Sequence, residues 1–171
     1  MGWRASFPIL ESAEMPHRVV QNVEWAKPCE RPGFIGRGRA RGTKALGLSY
    51  EKKLATALSR AHGPHYHGQW YHYFADGKNG WCQPDFVLLS SLRIVVVECK
   101  LTNIEEATEQ LDELYFPVLR AAYRLPVCGI IVVKSLTRLP PVATVCSTLT
   151  GALNEAHRCV PVLHWIGQGP I

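Results

Sequence analysis

The sequence predicts an α/β protein whose elements run in the order αβββαβ, with a mixed central sheet flanked by helices. Three observations carry this expectation. Apolar residues recur at helical spacing between Leu48 and Ala61. Three strand-like runs, separated by turn residues, fill the stretch from Gln69 to Lys100. A second helical stretch then leads into the wholly apolar run Pro126–Val133, which has the composition of a strand buried on both faces.

In the first helix, Leu54, Ala55, Leu58 and Ala61 share a face, and Lys52, Lys53 and Arg60 are left for the outer side. His62-Gly-Pro-His ends it. Gln69-Trp-Tyr-His-Tyr-Phe74 is rich in strand-forming aromatics, and Ala75-Asp-Gly-Lys-Asn-Gly80 has the composition of a hairpin turn. A second strand is expected over Trp81–Leu89 and, after the break at Ser90-Ser91, a third over Leu92–Lys100, the three forming an antiparallel meander. The second helix is expected over Glu105–Tyr123, kinked or split by Pro117. Beyond Val133, a helix around Pro140–Ala156 and an edge strand over Val160–Ile166 complete the reading. Residues 1–46 contain Pro8, Pro16, Pro28 and Pro32 with no sustained periodicity. They are expected to be an irregular basic extension, with the compact domain spanning 47–171.

A chain of 171 residues, 47% hydrophobic, is large enough to bury a core of its own. No apolar run approaches the roughly 18 residues of a membrane span, so no membrane partner is expected. No secretory signal pattern opens the sequence, and none of the six scattered cysteines forms a CxxC pair. A cytoplasmic protein with reduced thiols follows as the expectation. The net charge of +5 is concentrated: residues 31–60 hold eight Lys or Arg against one Glu. Arg31, Arg37, Arg39, Arg41 and Lys44 stand in a glycine-rich stretch whose spacing fits neither GxGxxG nor a P-loop. It reads as a flexible basic arm for a polyanion, or else as a solvated loop with no ligand.

The chemistry-bearing residues lie on the second and third predicted strands. Alternation puts Glu98 and Lys100 on one face and Cys99 on the other. A hairpin through Ser90-Ser91 brings Asp85, after Pro84, beside them. Charges set within Phe86-Val-Leu-Leu89 and Ile94-Val-Val-Val97 are costly to bury unless paired or bound to a metal. A paired surface cluster on an ordinary α/β domain is the plainer alternative.

Pro84-Asp85, followed after twelve residues by Glu98-Cys99-Lys100, resembles the signature of the PD-(D/E)xK nuclease superfamily, and the αβββαβ order resembles its restriction-endonuclease-like core. The resemblance spans about residues 48–134. Glu51, in Tyr50-Glu-Lys-Lys, matches the acid that the preceding helix often contributes in that superfamily. Gln110 matches the helix Gln of its RecB-type branch, where Tyr115 follows at one residue more than the Gln-xxx-Tyr spacing.

The resemblance implies a metal-dependent deoxyribonuclease that takes duplex or branched DNA. Its preferred subtype is a structure-selective endonuclease of recombination, repair or phage DNA processing, in a bacterial or phage-infected cell. A homodimer is implied by analogy with small relatives, and no small-molecule cofactor is implied. Asp85, Glu98 and the Cys99 carbonyl would hold Mg²⁺ or Mn²⁺, with Glu51 on a second ion or its waters. Lys100 would orient or help deprotonate the attacking water and stabilise the transition state, and Gln110 would position the scissile strand. Arg37, Arg39, Arg41, Lys44, Lys52 and Lys53 would meet phosphates. The close alternative is a RecB-type exonuclease. A binding module without catalysis is the alternative from another class.

Two further signals are set aside. His62, His65, His67 and His72 with Cys82 match no familiar zinc spacing. Trp70, Tyr71, Tyr73, Phe74 and Trp81 could stack on bases, although core or sheet-surface packing is the expectation for aromatics in strands.

Overall fold

The computed structural model describes residues 19–36, 40–63, 65–137 and 143–171. The chain runs through β1 (Val23–Cys29), α1 (Gly42–Ala61), β2 (Tyr66–His67), β3 (Trp70–Ala75), β4 (Lys78–Cys82), β5 (Phe86–Leu89) and β6 (Ile94–Lys100). It continues through α2 (Ile104–Gln110), a π-helical segment (Leu111–Tyr115), α3 (Phe116–Tyr123), β7 (Val127–Val133), β8 (Val145–Cys146), α4 (Leu149–Glu155) and β9 (Val162–His164). The architecture is mixed α/β, with a mixed central sheet flanked by helices. That sheet is six-stranded in the order β2-β5-β6-β7-β9-β8. Its β2, β5 and β6 are antiparallel neighbours, and β6, β7, β9 and β8 run parallel. Among the described residues, no helix is long and apolar enough to cross a membrane.

Alternation along β6 divides the interior in two. Val95 and Val97 face α1 and α4, where Tyr50, Leu54, Leu58, Leu149 and Ala152 pack. Ile94 and Val96 face α2 and α3, where Ala107, Leu111, Val118 and Leu119 pack. A strand covered on both faces must be apolar nearly throughout, and Ile94–Val97 and Ile130–Val133 are buried at every position. Ser90 shapes the β5–β6 hairpin: its Oγ accepts the N–H groups of Leu92 and Arg93. Such local hydroxyl bonds replace ladder bonds at turns.

The structure departs from the sequence expectation in four places. First, the meander breaks. β3 and β4 pair with β1 in a separate three-stranded antiparallel sheet, and only β5 continues to β6. The expected strand Trp81–Leu89 is cut at Gln83-Pro84-Asp85, where a residue without an N–H cannot donate to a ladder. Second, the segment 1–46 is not irregular throughout, because β1 lies within it and α1 begins at Gly42. Lys44 is therefore helical, and Arg31 folds back to donate to the carbonyls of Ile35 and Gly36. Third, helix is found only over Leu149–Glu155 of the expected 140–156, capped by the Thr148 hydroxyl, which accepts the Gly151 N–H. Residues 138–142 lie outside the described residues. Fourth, β9 is not the sheet edge, because β8 pairs outside it.

The second helical stretch begins at Ile104, where Asn103 and Glu106 form a capping box: the Asn103 Oδ1 accepts the Glu106 N–H and the Asn103 amide donates to the Glu106 carboxylate. Pro117 neither ends this stretch nor breaks it. The π turn ahead of it carries the Phe116 N–H to the Leu111 carbonyl, five residues back. Pro117 has no N–H for the Glu113 carbonyl four residues back, and the Val20 N–H bonds there instead at 2.8 Å. The proline thereby gives the chain ahead of β1 a docking point on this helix.

Candidate active site

Register brings the predicted constellation together. Phe86 pairs with Val97, so Asp85 enters beside Glu98 at the end of the β5–β6 hairpin. The Asp85 Oδ2 accepts the Cys99 N–H at 2.7 Å, which ties this carboxylate to the backbone of the neighbouring strand. Glu98 is 3% exposed. Lys100, two residues on and on the same face, lies 3.3 Å from the Glu98 carboxylate and 3.5 Å from that of Glu106, and its ammonium donates to Gln110 Oε1 at 2.8 Å. Four predicted residues, Asp85, Glu98, Lys100 and Gln110, thus form one connected cluster at the carboxyl end of β6.

The cluster is short of positive charge. Burial raises the Asp85 carboxyl well above its ordinary value, and Glu98 and Glu51 add to the rise. Burial pushes Glu98 up to about 7 despite the lowering influence of Lys100. Lys100 is pulled the other way. Burial works against its charge, but Glu98, Glu106 and Asp85 outweigh it and hold the ammonium above its ordinary value. One cation therefore faces two crowded carboxylates, and Glu98 Oε2 is buried with no hydrogen-bond partner. An orphaned carboxylate oxygen in a native interior calls for an explanation. The Cys99 thiol is pushed up by burial and by these acids, so it stays protonated near neutral pH.

Glu51 approaches from α1, on the other side of the sheet. It bonds His67 Nε2 at 2.6 Å, and His67 in turn stacks on Phe86 with ring centroids 4.7 Å apart. Its charge adds to the rise of Asp85, Glu98 and Cys99. Among the described residues, no group of three or more His, Cys, Asp or Glu side chains stands ready to hold a metal ion. Arg41, just ahead of α1, and Lys44, Lys52 and Lys53 within it are exposed. Arg37 and Arg39 lie outside the described residues.

Of two further residues here, Glu106 is not expected from the sequence and His67 is named there only among the histidines discounted as a zinc signal. Glu106 contacts Lys100, and its signal was available as the Asn103-x-x-Glu106 cap. His67 reaches Glu51 from a two-residue strand opposite Phe86, too short to leave a periodic trace. The extra residue between Gln110 and Tyr115 also has a physical reason. It is taken up in the π segment, where residues five apart, rather than four, come round to one face. Tyr115 is accordingly buried near the cluster. Its hydroxyl donates to the Gln83 carbonyl at 3.3 Å, and Glu98 and Asp85 reinforce the burial that raises its phenol.

Comparison with protein families, with curated proteins and with solved structures returns no match.

Proposed function

We propose that this protein is a divalent-metal-dependent deoxyribonuclease, with the structure-selective endonuclease as the preferred subtype. The observation that carries this reading is the unpartnered Glu98 Oε2, buried beside Asp85 in a cluster with too little positive charge. A hard dication suits that oxygen-rich set. Asp85, Glu98 and the Cys99 carbonyl would hold Mg²⁺ or Mn²⁺, with Glu51 on a second ion or its waters. The ion's chemistry there is to acidify water and offset charge on phosphorus. The protein's own residues supply the rest. Lys100, charged at neutral pH, acts as a fixed cation facing the negative charge that builds up on the phosphate, rather than as a base. Gln110 sits within hydrogen-bond reach of that ammonium and orients it. Arg41, Lys44, Lys52 and Lys53 line the approach and neutralise backbone phosphates without reading sequence.

A second reading, the RecB-type exonuclease, is favoured by a specific observation: the π segment absorbs the one-residue departure from the Gln-xxx-Tyr spacing and leaves Gln110 and Tyr115 both at the cluster.

The test is cleavage of labelled linear duplex, single strand, flap and four-way junction, as DNA and as RNA, with Mg²⁺, Mn²⁺ or EDTA, for the wild type beside Asp85→Ala. Metal-dependent cutting of DNA that the substitution abolishes is the expected result, and the preferred substrate separates the two subtypes. Binding without cutting of any substrate returns the protein to the class of binding modules. In EDTA, duplex affinity should fall roughly a hundredfold between about 50 and 200 mM salt if four phosphates are neutralised. A flat salt response removes the basic residues from the DNA contact.

A further inference from the structure

The three-stranded sheet carries a surface that the cluster at Asp85 and Glu98 does not use. Tyr71, Tyr73 and Ala75 of β3 are buried in the core shared with α3. Alternation therefore turns His72 and Phe74 outward. Register sets Lys27 of β1 and Trp81 of β4 on either side of His72, and Trp25 beside Phe74. The rings are ordered: His72 lies parallel to Trp81 at 4.6 Å and 4°, Trp25 meets His72 edge-on at 4.9 Å, and Phe34 meets Trp81 edge-on at 5.0 Å. Lys27 stands 5.8 Å over the Trp25 ring. Trp25 is 39% and Phe34 70% exposed. Lys27 is exposed as well, and His72, Phe74 and Trp81 are half-buried, so the rings form one solvent-facing cluster.

We infer that the outer face of β1-β3-β4, formed by Trp25, Lys27, Phe34, His72, Phe74 and Trp81, is a stacking platform for the unpaired bases of a single-stranded nucleic acid. The inference rests on the nuclease reading and supplies its substrate class: a strand with an unpaired segment next to the cleaved bond. Three observations favour this occupant. The face offers ring surfaces and a cation, the pairing that holds bases and phosphates without regard to sequence. Among the described residues, strand alternation puts no Leu, Ile or Val on it, so it lacks the aliphatic filling of a core or a self-association patch. It is also near the candidate site along the chain: Asp85 follows Trp81 by four positions, at most about 14 Å of extended backbone.

The experiment is fluorescence anisotropy of labelled oligo(dT), oligo(U) and duplex DNA with the full chain in EDTA, where binding is read apart from cleavage. Trp25→Ala with Trp81→Ala should weaken binding of the single strands at least about tenfold, with duplex affinity changed less than about twofold. Trp81→Phe, which keeps a ring, should retain most of the affinity. Should the double variant not fold, as judged by circular dichroism, Trp25→Ala alone and Lys27→Glu, both at exposed positions, give the same readout. Single-strand affinity unchanged in folded variants overturns the inference. So does conversion of a dimer to a monomer in light scattering, which would make a second copy the occupant. Ring-dependent binding by a protein that cuts nothing sinks the nuclease reading alone. Metal-dependent cutting with ring-independent binding sinks this inference alone.

Discussion

Asp85→Asn is expected to lower metal-dependent cleavage by at least about a thousandfold while the protein remains folded. Loss of an acid–base or charge-stabilising group costs roughly 10²–10⁴ in rate; loss of an ion ligand removes more than one such contribution at once. The substitution is nearly isosteric, and the Asn carbonyl can still accept the Cys99 N–H that Asp85 Oδ2 now accepts at 2.7 Å. Fold and function should therefore part company. A charge that is raised by burial and by Glu98 disappears, so the variant should be at least as stable as the parent above neutral pH. Lys100→Ala is predicted to be equally inactive but less stable, because it leaves Glu98 buried without its one ammonium partner. Single-turnover cleavage beside thermal melts measures both arms. An Asp85→Asn protein that is folded and fully active would remove Asp85 from the mechanism.

The contrast between these variants reflects how much of the site could be read in the chain. Glu98 and Lys100 were legible because a strand has a period of two: apolar residues at Ile94–Val97 fix its two buried faces, and any charge that follows must take one of them. Asp85 was legible because a short hairpin leaves a single sensible register. Gln110 required only the second helix to follow the strand. Less visible was whatever depends on long-range pairing. Nothing in Trp81–Leu89 says that the chain leaves one sheet at Gln83-Pro84 and enters another. Val23–Cys29 contains a proline at position 28, and it forms a strand because it adds to the free edge of β3. At such an edge, Pro28 has no inner ladder to break. The order of β8 and β9 depends on parallel pairing with β7 and is invisible locally. The aromatic run was read as one unit, yet alternation sends Tyr71 and Tyr73 inward and His72 and Phe74 outward. The expectation of core packing thus holds for Tyr71 and Tyr73, and base stacking is the proposal for the outward rings.

Glu98→Gln is expected to flatten a pH dependence that the cluster builds into the metal-free protein. Burial pushes Glu98 up to about 7, and Asp85 is raised as well; in the unfolded chain both ionise near pH 4. Below that range both states are protonated and the site costs nothing. Between about pH 4.5 and 7 the unfolded state has released protons that the folded state still holds, so stability falls as pH rises. Above about 7 the full Glu98 penalty remains. For Glu98 alone it is on the order of 3 kcal/mol, at 1.36 kcal/mol per pKa unit. In EDTA, the wild type should therefore melt several degrees lower at pH 8 than at pH 5 relative to Glu98→Gln, which flattens this part of the profile. Mn²⁺ or Mg²⁺ should restore the wild type at pH 8, by about 2.7 kcal/mol at a hundred times the dissociation constant, and should do much less for Glu98→Gln. Parallel pH profiles for the two proteins in EDTA would show that Glu98 is not the strained group. A metal response that Glu98→Gln leaves intact would separate Glu98 from the ion.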